Sequence, residues 1–437
     1  MQWPSESVTP DSVAILVANG DLPARPYTKP GIGLPRGRAA LAALTLVCLG
    51  AHPTMAAQGD VFTATAAVTA IWDDNLFRLP AAISVGPRSD YLVAPSAELT
   101  IDKPWSRQKL TLDATITAYR YGHYTQLDFV APKYTARWRW TVTSHLKGIL
   151  SASGDKMLSS FADFRSGTNG NVVTQRNEHA SLDWWVGGGL HATASGFITT
   201  SDNSQRFVQV DTAHLHGGRI GLEYQSNGGS WIKASFSASH GDYPTRSLSE
   251  QVSGLLDRRF DRHTTKAELY WRLDPQVAIR ASGGYVSQTY PDVALRNFSG
   301  GVGSMQLSWT PSRVLAIEIG ADRQLDAWQD SIASDRVTDA AFLRPTWAIS
   351  HTLSAQLALK RERVSYQGQR LPISPQGVPY RTDHISQAQL DLVWKATRRV
   401  TVTLSGQTAH RDSGPSVDYG IFRYSDHSVA IDANVSF

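Results

Sequence analysis

Apolar and polar residues alternate one by one over most of the chain after Val61. Between Leu110 and Tyr119, leucine, isoleucine and alanine take the even positions, and threonine, aspartate and tyrosine take the odd ones. Successive side chains of a β-strand point to opposite faces, so each such segment is predicted to be a strand with one apolar and one polar face. No convincing helical segment follows the N-terminal region, which indicates an all-β fold.

The connections between these strands also alternate in length. Short polar turns are predicted near residues 102–104, 186–188, 226–228, 274–275, 310–311 and 397–398, and longer polar segments lie between them, for example residues 154–171, 241–257, 322–335 and 367–380. Short turns on one side and long loops on the other are typical of bacterial barrels. We therefore expect a transmembrane antiparallel up-and-down β-barrel of about 18 strands, with short periplasmic turns and long extracellular loops.

Aromatic residues end the strands that run into the short turns, always on the apolar phase. A ring of aromatic side chains at one level is the girdle with which a barrel meets the membrane interface. A β-propeller also repeats about every 40 residues, but it needs four short strands per repeat, whereas this chain has two long ones. The girdle set is Trp140, Trp184, Tyr224, Trp271, Trp309, Trp347, Trp394 and the C-terminal Phe437. The terminal Phe437 is similar to the signature that the outer-membrane insertion machinery reads.

The N-terminal region carries the pattern of a secretory signal. Arg36 and Arg38 precede an apolar stretch and a small-residue site that ends at Ala57, so we expect a signal peptide over residues 36–57 and a mature barrel over residues 58–437. Residues 1–35 carry acidic residues and prolines and are expected to be a mis-assigned or disordered extension. The chain's one cysteine, Cys48, falls within the segment expected to be removed. It lacks the small neighbour of a lipidated cysteine.

The polar phase of the strands carries charges of both signs. Cations that line a lumen select for anions, although opposite charges on one sheet face also pair and brace the wall. Both interpretations stay open from the sequence. The candidates for a substrate path are Arg137, Arg139, Lys147, Arg219, Lys233, Arg262, Lys266, Arg344 and Lys360, with Tyr119, Tyr270 and Tyr424 as possible platforms for sugar rings. The net charge of +4 and the lack of a basic stripe do not suggest a nucleic-acid partner.

Chemistry-bearing motifs are sparse. There is no Gly-x-Ser-x-Gly elbow, no His-Glu-x-x-His and no nucleotide-binding Gly-x-x-x-x-Gly-Lys loop. Asp73, Asp74 and Asn75 could offer oxygen ligands to calcium, but a local turn role is favoured. His214 and His216 share a face without a third ligand. We expect no enzyme activity, no cofactor and no metal.

Asp73-Asp74-Asn75-Leu76-Phe77-Arg78, close to the start of the mature chain, resembles the opening of a known family. These are the EpsL-type outer-membrane barrels of exosortase-B exopolysaccharide operons, which share the signal peptide, the amphipathic strands and the terminal phenylalanine. The resemblance implies a passive conduit for an exopolysaccharide, with periplasmic export components as partners and outer-membrane lipid around it. The alternatives are a general or anion-preferring porin-like channel and a polymer-binding barrel that transports nothing.

Overall fold

The computed structural model describes residues 61–83, 86–163, 168–205, 212–247, 256–328, 330, 332–370 and 377–437. The expected extension, the signal peptide and its cleavage site lie outside the described residues. Within them, no helix is long and apolar enough to cross a membrane.

Eighteen antiparallel strands form one closed sheet, in which each strand pairs with its neighbours in sequence and β1 also pairs with β18. The predicted fold and strand number are confirmed. The strands are β1 (Phe62–Asp73), β2 (Asp90–Trp105), β3 (Gln108–Tyr121), β4 (Phe129–Thr141), β5 (Leu146–Leu158), β6 (Val172–Gly187), β7 (Leu190–Asn203), β8 (Ala213–Gln225), β9 (Trp231–Asp242), β10 (Arg259–Arg272), β11 (Val277–Thr289), β12 (Phe298–Ser312), β13 (Leu315–Ala327), β14 (Asp335–Ala348), β15 (Leu353–Gln367), β16 (Thr382–Lys395), β17 (Val400–Gly414) and β18 (Tyr424–Ser436). The described parts of the loops contain three 3-10 helices, at Thr125–Leu127, Ala294–Arg296 and Val417–Phe422.

The outer face of the barrel is apolar. On β8, Ile220 and Leu222 are 65% and 58% exposed, while Arg219 and Glu223 on the alternate phase face inward. Large aliphatic side chains recur on the outward phase of nearly every strand. An apolar band that encircles a protein is stable only when hydrocarbon covers it, as in a transmembrane barrel.

Aromatic residues end the strands that run toward the short turns. Trp184, Trp271, Trp347 and Trp394 are about half exposed on the outward face, at the ends of β6, β10, β14 and β16. Trp105 lies at the equivalent position at the end of β2, and it is not among the girdle residues predicted from the sequence. The backbone N–H of Phe437 donates to the Ala64 carbonyl (2.8 Å), which extends the β1–β18 seam at this periplasmic end.

Two of the predicted turns lie inside strands. Residues 102–104 belong to β2 and residues 310–311 to β12, so the turns that follow them are residues 106–107 and 313–314. Pairing continues past Pro104 and Pro311 because a proline is tolerated at the end of a strand, where its missing N–H costs no ladder hydrogen bond.

The extracellular loops fold into the mouth of the barrel and bury its core there. One cluster joins Leu76, Phe77 and Leu79 after β1 to Tyr124 and Leu127 after β3. A second cluster joins Tyr243, Phe260, Tyr290 and Phe298 with other residues of β8 to β14. The buried hydrophobic residues of the described chain therefore concentrate at the extracellular end, and the periplasmic half of the lumen is lined by half-exposed polar side chains.

Two of these loops share one anchoring arrangement. After β3, the carboxylate of Asp90 accepts the backbone N–H groups of His123 (2.7 Å) and Tyr124 (3.0 Å). After β11, the carboxylate of Asp257 accepts those of Asp292 (2.6 Å) and Val293 (3.1 Å). Both carboxylates are fully buried, and each holds a short loop with one turn of 3-10 helix against the loop before it.

Candidate functional site in the barrel lumen

Four of the predicted lumenal lysines are paired with carboxylates. Lys147 contacts Asp183 (3.1 Å) across β5 and β6, and Lys233 contacts Glu223 (3.7 Å) across β8 and β9. The two remaining pairs join neighbours on one strand: Lys266 with Glu268 at 3.1 Å and Lys360 with Glu362 at 2.8 Å. These four cations brace the wall, because the adjacent carboxylate largely cancels the field each would project into the lumen.

Arg137 and Arg139 are arranged differently. They lie two residues apart on the inward phase of β4, with the exposed Trp138 between them on the outward phase. Their cross-strand neighbours are Thr111 and Ser151 for Arg137 and Lys109 and Ile149 for Arg139. Among the described residues neither arginine has a carboxylate within salt-bridge distance, so this pair supplies positive charge to the periplasmic half of the lumen.

The other predicted cations lie elsewhere on the inner wall. Arg219 faces inward on β8, between Ser195 and Ser237 of the neighbouring strands. The guanidinium of Arg344 on β14 stacks on Phe342 at 4.6 Å. Arg262 lies on the inward phase of β10, four residues before Lys266. The nine predicted cations are thus spread from β4 to β15 and form no single cluster.

The three predicted tyrosines have different surroundings. Tyr119 stacks on Phe129 with ring centroids 4.7 Å apart, and it packs against the first loop cluster. Tyr270 lies under Arg280, at 5.0 Å. Tyr424 is buried with Ala162 and Ala409. Tyr270 is therefore the one of the three that is neither stacked into the loop cluster nor covered by a loop in this structure.

The Asp73–Arg78 motif closes the barrel seam at its extracellular end. Arg78 has a positive φ of 54° and turns back, so that both its terminal nitrogens donate to the Asp73 carboxylate at 2.8 Å. It also lies 3.3 Å from Asp426 on β18. The side-chain amide of Asn75 donates to the carbonyl oxygens of Leu79 (2.8 Å) and Ser425 (2.9 Å).

Charge holds Arg78 in its protonated form. Burial alone would lower the pKa of Arg78, but the carboxylates of Asp73 and Asp426 outweigh burial and raise it above its ordinary value. Because the Asp73 carboxylate is engaged by Arg78 and by the backbone N–H of Asn75, the geometry favours the turn role over a calcium site. No group of three potential metal ligands occurs among the residues that the structure describes.

A segment of the β5–β6 loop crosses the lumen. We call residues 159–163 the inward segment. Phe161 packs edge-on against Phe77 (4.8 Å), and Asp163 reaches arginines on β14 and β17, on the opposite side of the 18-strand ring. The segment therefore spans the mouth of the barrel and narrows it.

The far end of the inward segment enters an arginine cluster formed by Arg336, Arg381 and Arg411. Asp163 Oδ1 accepts from Arg411 Nη2 (2.6 Å) and Arg381 Nη2 (3.1 Å), and its Oδ2 lies 3.8 Å from Arg336 Nη1. Burial would raise the pKa of Asp163, but the three guanidinium groups hold it well below its usual range.

The wall supplies a second carboxylate to the same arginines. Asp383 on β16 accepts from Arg381 Nη2 (2.9 Å) and from Arg411 Nη2. Arg381 also donates to the hydroxyl of Tyr366 (2.5 Å) and lies over the Phe422 ring at 3.7 Å. The pKa of Arg381 is raised because the nearby Tyr366, Asp383 and Asp163 outweigh the effect of burial.

Sequence reasoning missed the arginine cluster and Asp163. Asp163 precedes Arg411 by 248 residues and Arg381 by 218, so the chain offers no local motif for the contact. The available signal was that Arg336 and Arg411 lie on the inward phase near the extracellular ends of their strands.

Comparison with known proteins gives a match to one family model. Residues 280–437 match the family described as "Putative beta-barrel porin 2". No curated protein matches the chain. Similar solved structures include OccAB3 of Acinetobacter baumannii (8% identity, 86% of this chain and 99% of that one, TM-score 0.49) and the outer membrane protein opdK of Pseudomonas aeruginosa (8%, 86% and 99%, 0.47). The siderophore receptor PirA of P. aeruginosa is a third (11%, 89% and 81%, 0.42).

The closed 18-strand barrel and its apolar outer band define the class of the protein, and the match of residues 280–437 to a porin family model is consistent with it. It is a porin-like β-barrel of the Gram-negative outer membrane, and outer-membrane lipid surrounds it.

Proposed function

We propose that the barrel is a constricted channel through which small anionic solutes cross the outer membrane. The observation that carries this proposal is the Arg137–Arg139 pair, which faces the lumen with no carboxylate within salt-bridge distance among the described residues. Cations that line a water-filled path lower the energy of an anion there and raise that of a cation. The lysine–carboxylate pairs elsewhere on the wall contribute little net field.

The loops support the restriction to small solutes. The inward segment and the two loop clusters occupy the extracellular mouth, so a solute has to pass between packed side chains. Transport would be passive, since the sequence contains no nucleotide-binding Gly-x-x-x-x-Gly-Lys loop.

The proposal is tested by the ion selectivity of the purified barrel in planar bilayers under a gradient of potassium chloride. Changing Arg137→Gln and Arg139→Gln together is expected to move the reversal potential toward cation preference. The matched control is Arg361→Gln with Arg363→Gln, a pair with the same spacing on the outward phase of β15, which also carries the exposed Leu359. The control pair is expected to leave the reversal potential unchanged.

Equal reversal potentials for the wild type and the Arg137/Arg139 variant would assign these arginines to bracing the wall and would overturn the anion-channel proposal. Circular dichroism and the heat-dependent mobility of the folded barrel on gels would establish that each variant is folded.

A second candidate, export of an exopolysaccharide, is supported by the resemblance of Asp73–Arg78 to the EpsL-type barrels. In that function the polymer and periplasmic export components are the partners, and the inward segment must move aside to admit a polymer. Deletion of the gene should then leave polymer in the periplasm and abolish it outside the cell. Normal extracellular polymer in the deletion strain would eliminate this candidate. A folded barrel without any conductance would favour the third alternative, a polymer-binding barrel that does not transport.

We also propose that a signal peptide is removed after Ala57 and that Phe437 directs insertion. N-terminal sequencing of the protein from outer membranes is expected to begin at Gln58, and deletion of Phe437 is expected to reduce assembly. A different first residue would refute the cleavage site, and unchanged assembly would refute the role of Phe437.

A further inference from the structure

The arginine cluster in the extracellular half of the lumen belongs to the wall of the barrel. Arg336 and Arg411 are residues of β14 and β17, and Arg381 directly precedes β16. Asp383, which shares these arginines, is also a strand residue. Asp163 is the exception, because it comes from the inward segment on the opposite side of the ring. If the inward segment withdrew, the cluster would lose Asp163 and keep the carboxylates of the wall, Asp383 and Asp326, which faces Arg336 across β13 and β14.

The cluster offers more hydrogen-bond donors than its contacts use. Nε of Arg336 and Nε of Arg411 are buried without a hydrogen-bond partner among the described residues, and so is the hydroxyl of Ser413. Both arginine side chains are at least nine-tenths buried. A buried donor without an acceptor destabilises the structure. A polar ligand that accepts from these donors would therefore gain hydrogen bonds that Asp163 does not form.

Aromatic rings flank the guanidinium groups. Arg381 lies over the ring of Phe422 at 3.7 Å and that of Tyr366 at 4.1 Å, and Arg336 lies 5.4 Å from the centroid of Trp328. These cation–π contacts hold the guanidinium groups in place, and planar guanidinium groups bind carboxylates through paired hydrogen bonds. The geometry thus suits a carboxylate.

We propose that Arg336, Arg381 and Arg411 form a binding site for the carboxylate of a transported solute, and that Asp163 occupies this site when no solute is bound. This inference rests on the proposed channel function, in which anionic solutes pass the lumen. The solute carboxylate exchanges for that of Asp163, and the inward segment is released from the wall in the same step. The site would couple recognition of the solute to widening of the mouth.

The test is binding of carboxyl-labelled benzoate to the detergent-solubilised full-length mature barrel, followed by the line width of the carboxyl carbon in NMR spectra. Asp163→Ala removes the internal competitor and is expected to bind benzoate about tenfold or more tightly than the wild type, the effect of losing one charged hydrogen-bonded partner. Adding Arg411→Gln to that variant should return binding to background. Benzamide, which has the same shape without the charge, should not compete.

Asp339→Ala is the matched control, because Asp339 also pairs with an arginine, Arg323 at 2.9 Å, but at an exposed site away from the arginine cluster. It is expected to bind benzoate as the wild type does. If Asp163→Ala does not fold, Asp163→Asn keeps the size of the side chain and serves in its place.

Equal benzoate binding by the wild type and the Asp163 variant would overturn the proposal, as would competition by benzamide or indifference to Arg411→Gln. The measurement needs neither a membrane nor a current. A barrel that bound benzoate but showed no anion preference in bilayers would therefore contradict the channel function and leave the binding site standing.

Discussion

A buried arginine and its carboxylate partners stabilise the seam at the extracellular end of this barrel. Arg78 is almost fully buried, and its charge is compensated by Asp73 at 2.8 Å and Asp426 at 3.3 Å. Removing the nearest partner of a buried charge destabilises a protein by much more than an exposed ion pair stabilises it. The motif that resembles the EpsL-type family therefore has a clear structural role at the β1–β18 seam.

Asp73→Ala is expected to lower the free energy of unfolding by about 3 kcal/mol, because it leaves the Arg78 guanidinium buried with Asp426 alone. Urea titration of the barrel in detergent micelles measures the change. Asp74→Ala is the control, since Asp74 accepts one backbone hydrogen bond from His427 (2.8 Å) at an exposed position. Similar losses of unfolding free energy in both variants would show that the Arg78–Asp73 ion pair contributes no more to stability than the exposed hydrogen bond of Asp74.

The pH dependence of the channel conductance is expected to follow the protonation of Asp163. Its pKa is lowered in the folded barrel, so its contribution to stability is present above the unfolded pKa of about 3.9 and is lost as the pH falls toward the lower folded value. Single-channel conductance is therefore expected to stay constant from neutral pH to about pH 4 and to rise below it. In Asp163→Asn this rise should be absent. A rise between pH 5 and pH 7 in the wild type would exclude Asp163 as its cause.

At the scale of the element, the strands were predictable and the loops were not. Alternation from Leu110 to Tyr119 predicts β3, which runs from Gln108 to Tyr121, because the period of two follows from backbone geometry alone. The contact of Asp163 with Arg411 depends on the closure of all 18 strands, and no local pattern encodes it. Trp105 was missed because it follows a predicted turn that proved to be strand.

The loop anchors Asp90 and Asp257 are expected to act as separate units, so that each loop serves as the control for the other. Asp257→Ala should speed amide hydrogen exchange about tenfold or more in residues 290–297, because two buried backbone N–H groups lose their shared acceptor. Asp90→Ala should do the same in residues 122–128.

Each variant is expected to leave the other loop unchanged, since Asp90 lies at the start of β2 and Asp257 lies just before β10. Mass spectrometry of peptic fragments resolves the two segments. Acceleration of both loops by either substitution would show that the extracellular mouth opens as one unit.

At the scale of the whole molecule, the barrel combines two unlike halves. The extracellular half is packed by loops, and the periplasmic half is lined by polar side chains. Among these, Arg137 and Arg139 have no carboxylate within salt-bridge distance in the described chain. On the outer face, an apolar band encircles the barrel. A solute that enters from outside would therefore contact the arginine cluster at the mouth first, and then pass the positive field of Arg137 and Arg139.

The reversal potential of the wild-type barrel in a planar bilayer, under a gradient of potassium chloride, measures the proposed anion selectivity most directly. Small channels that prefer chloride over potassium are expected. A wide, unselective conductance, or a preference for potassium, would contradict the anion-channel proposal.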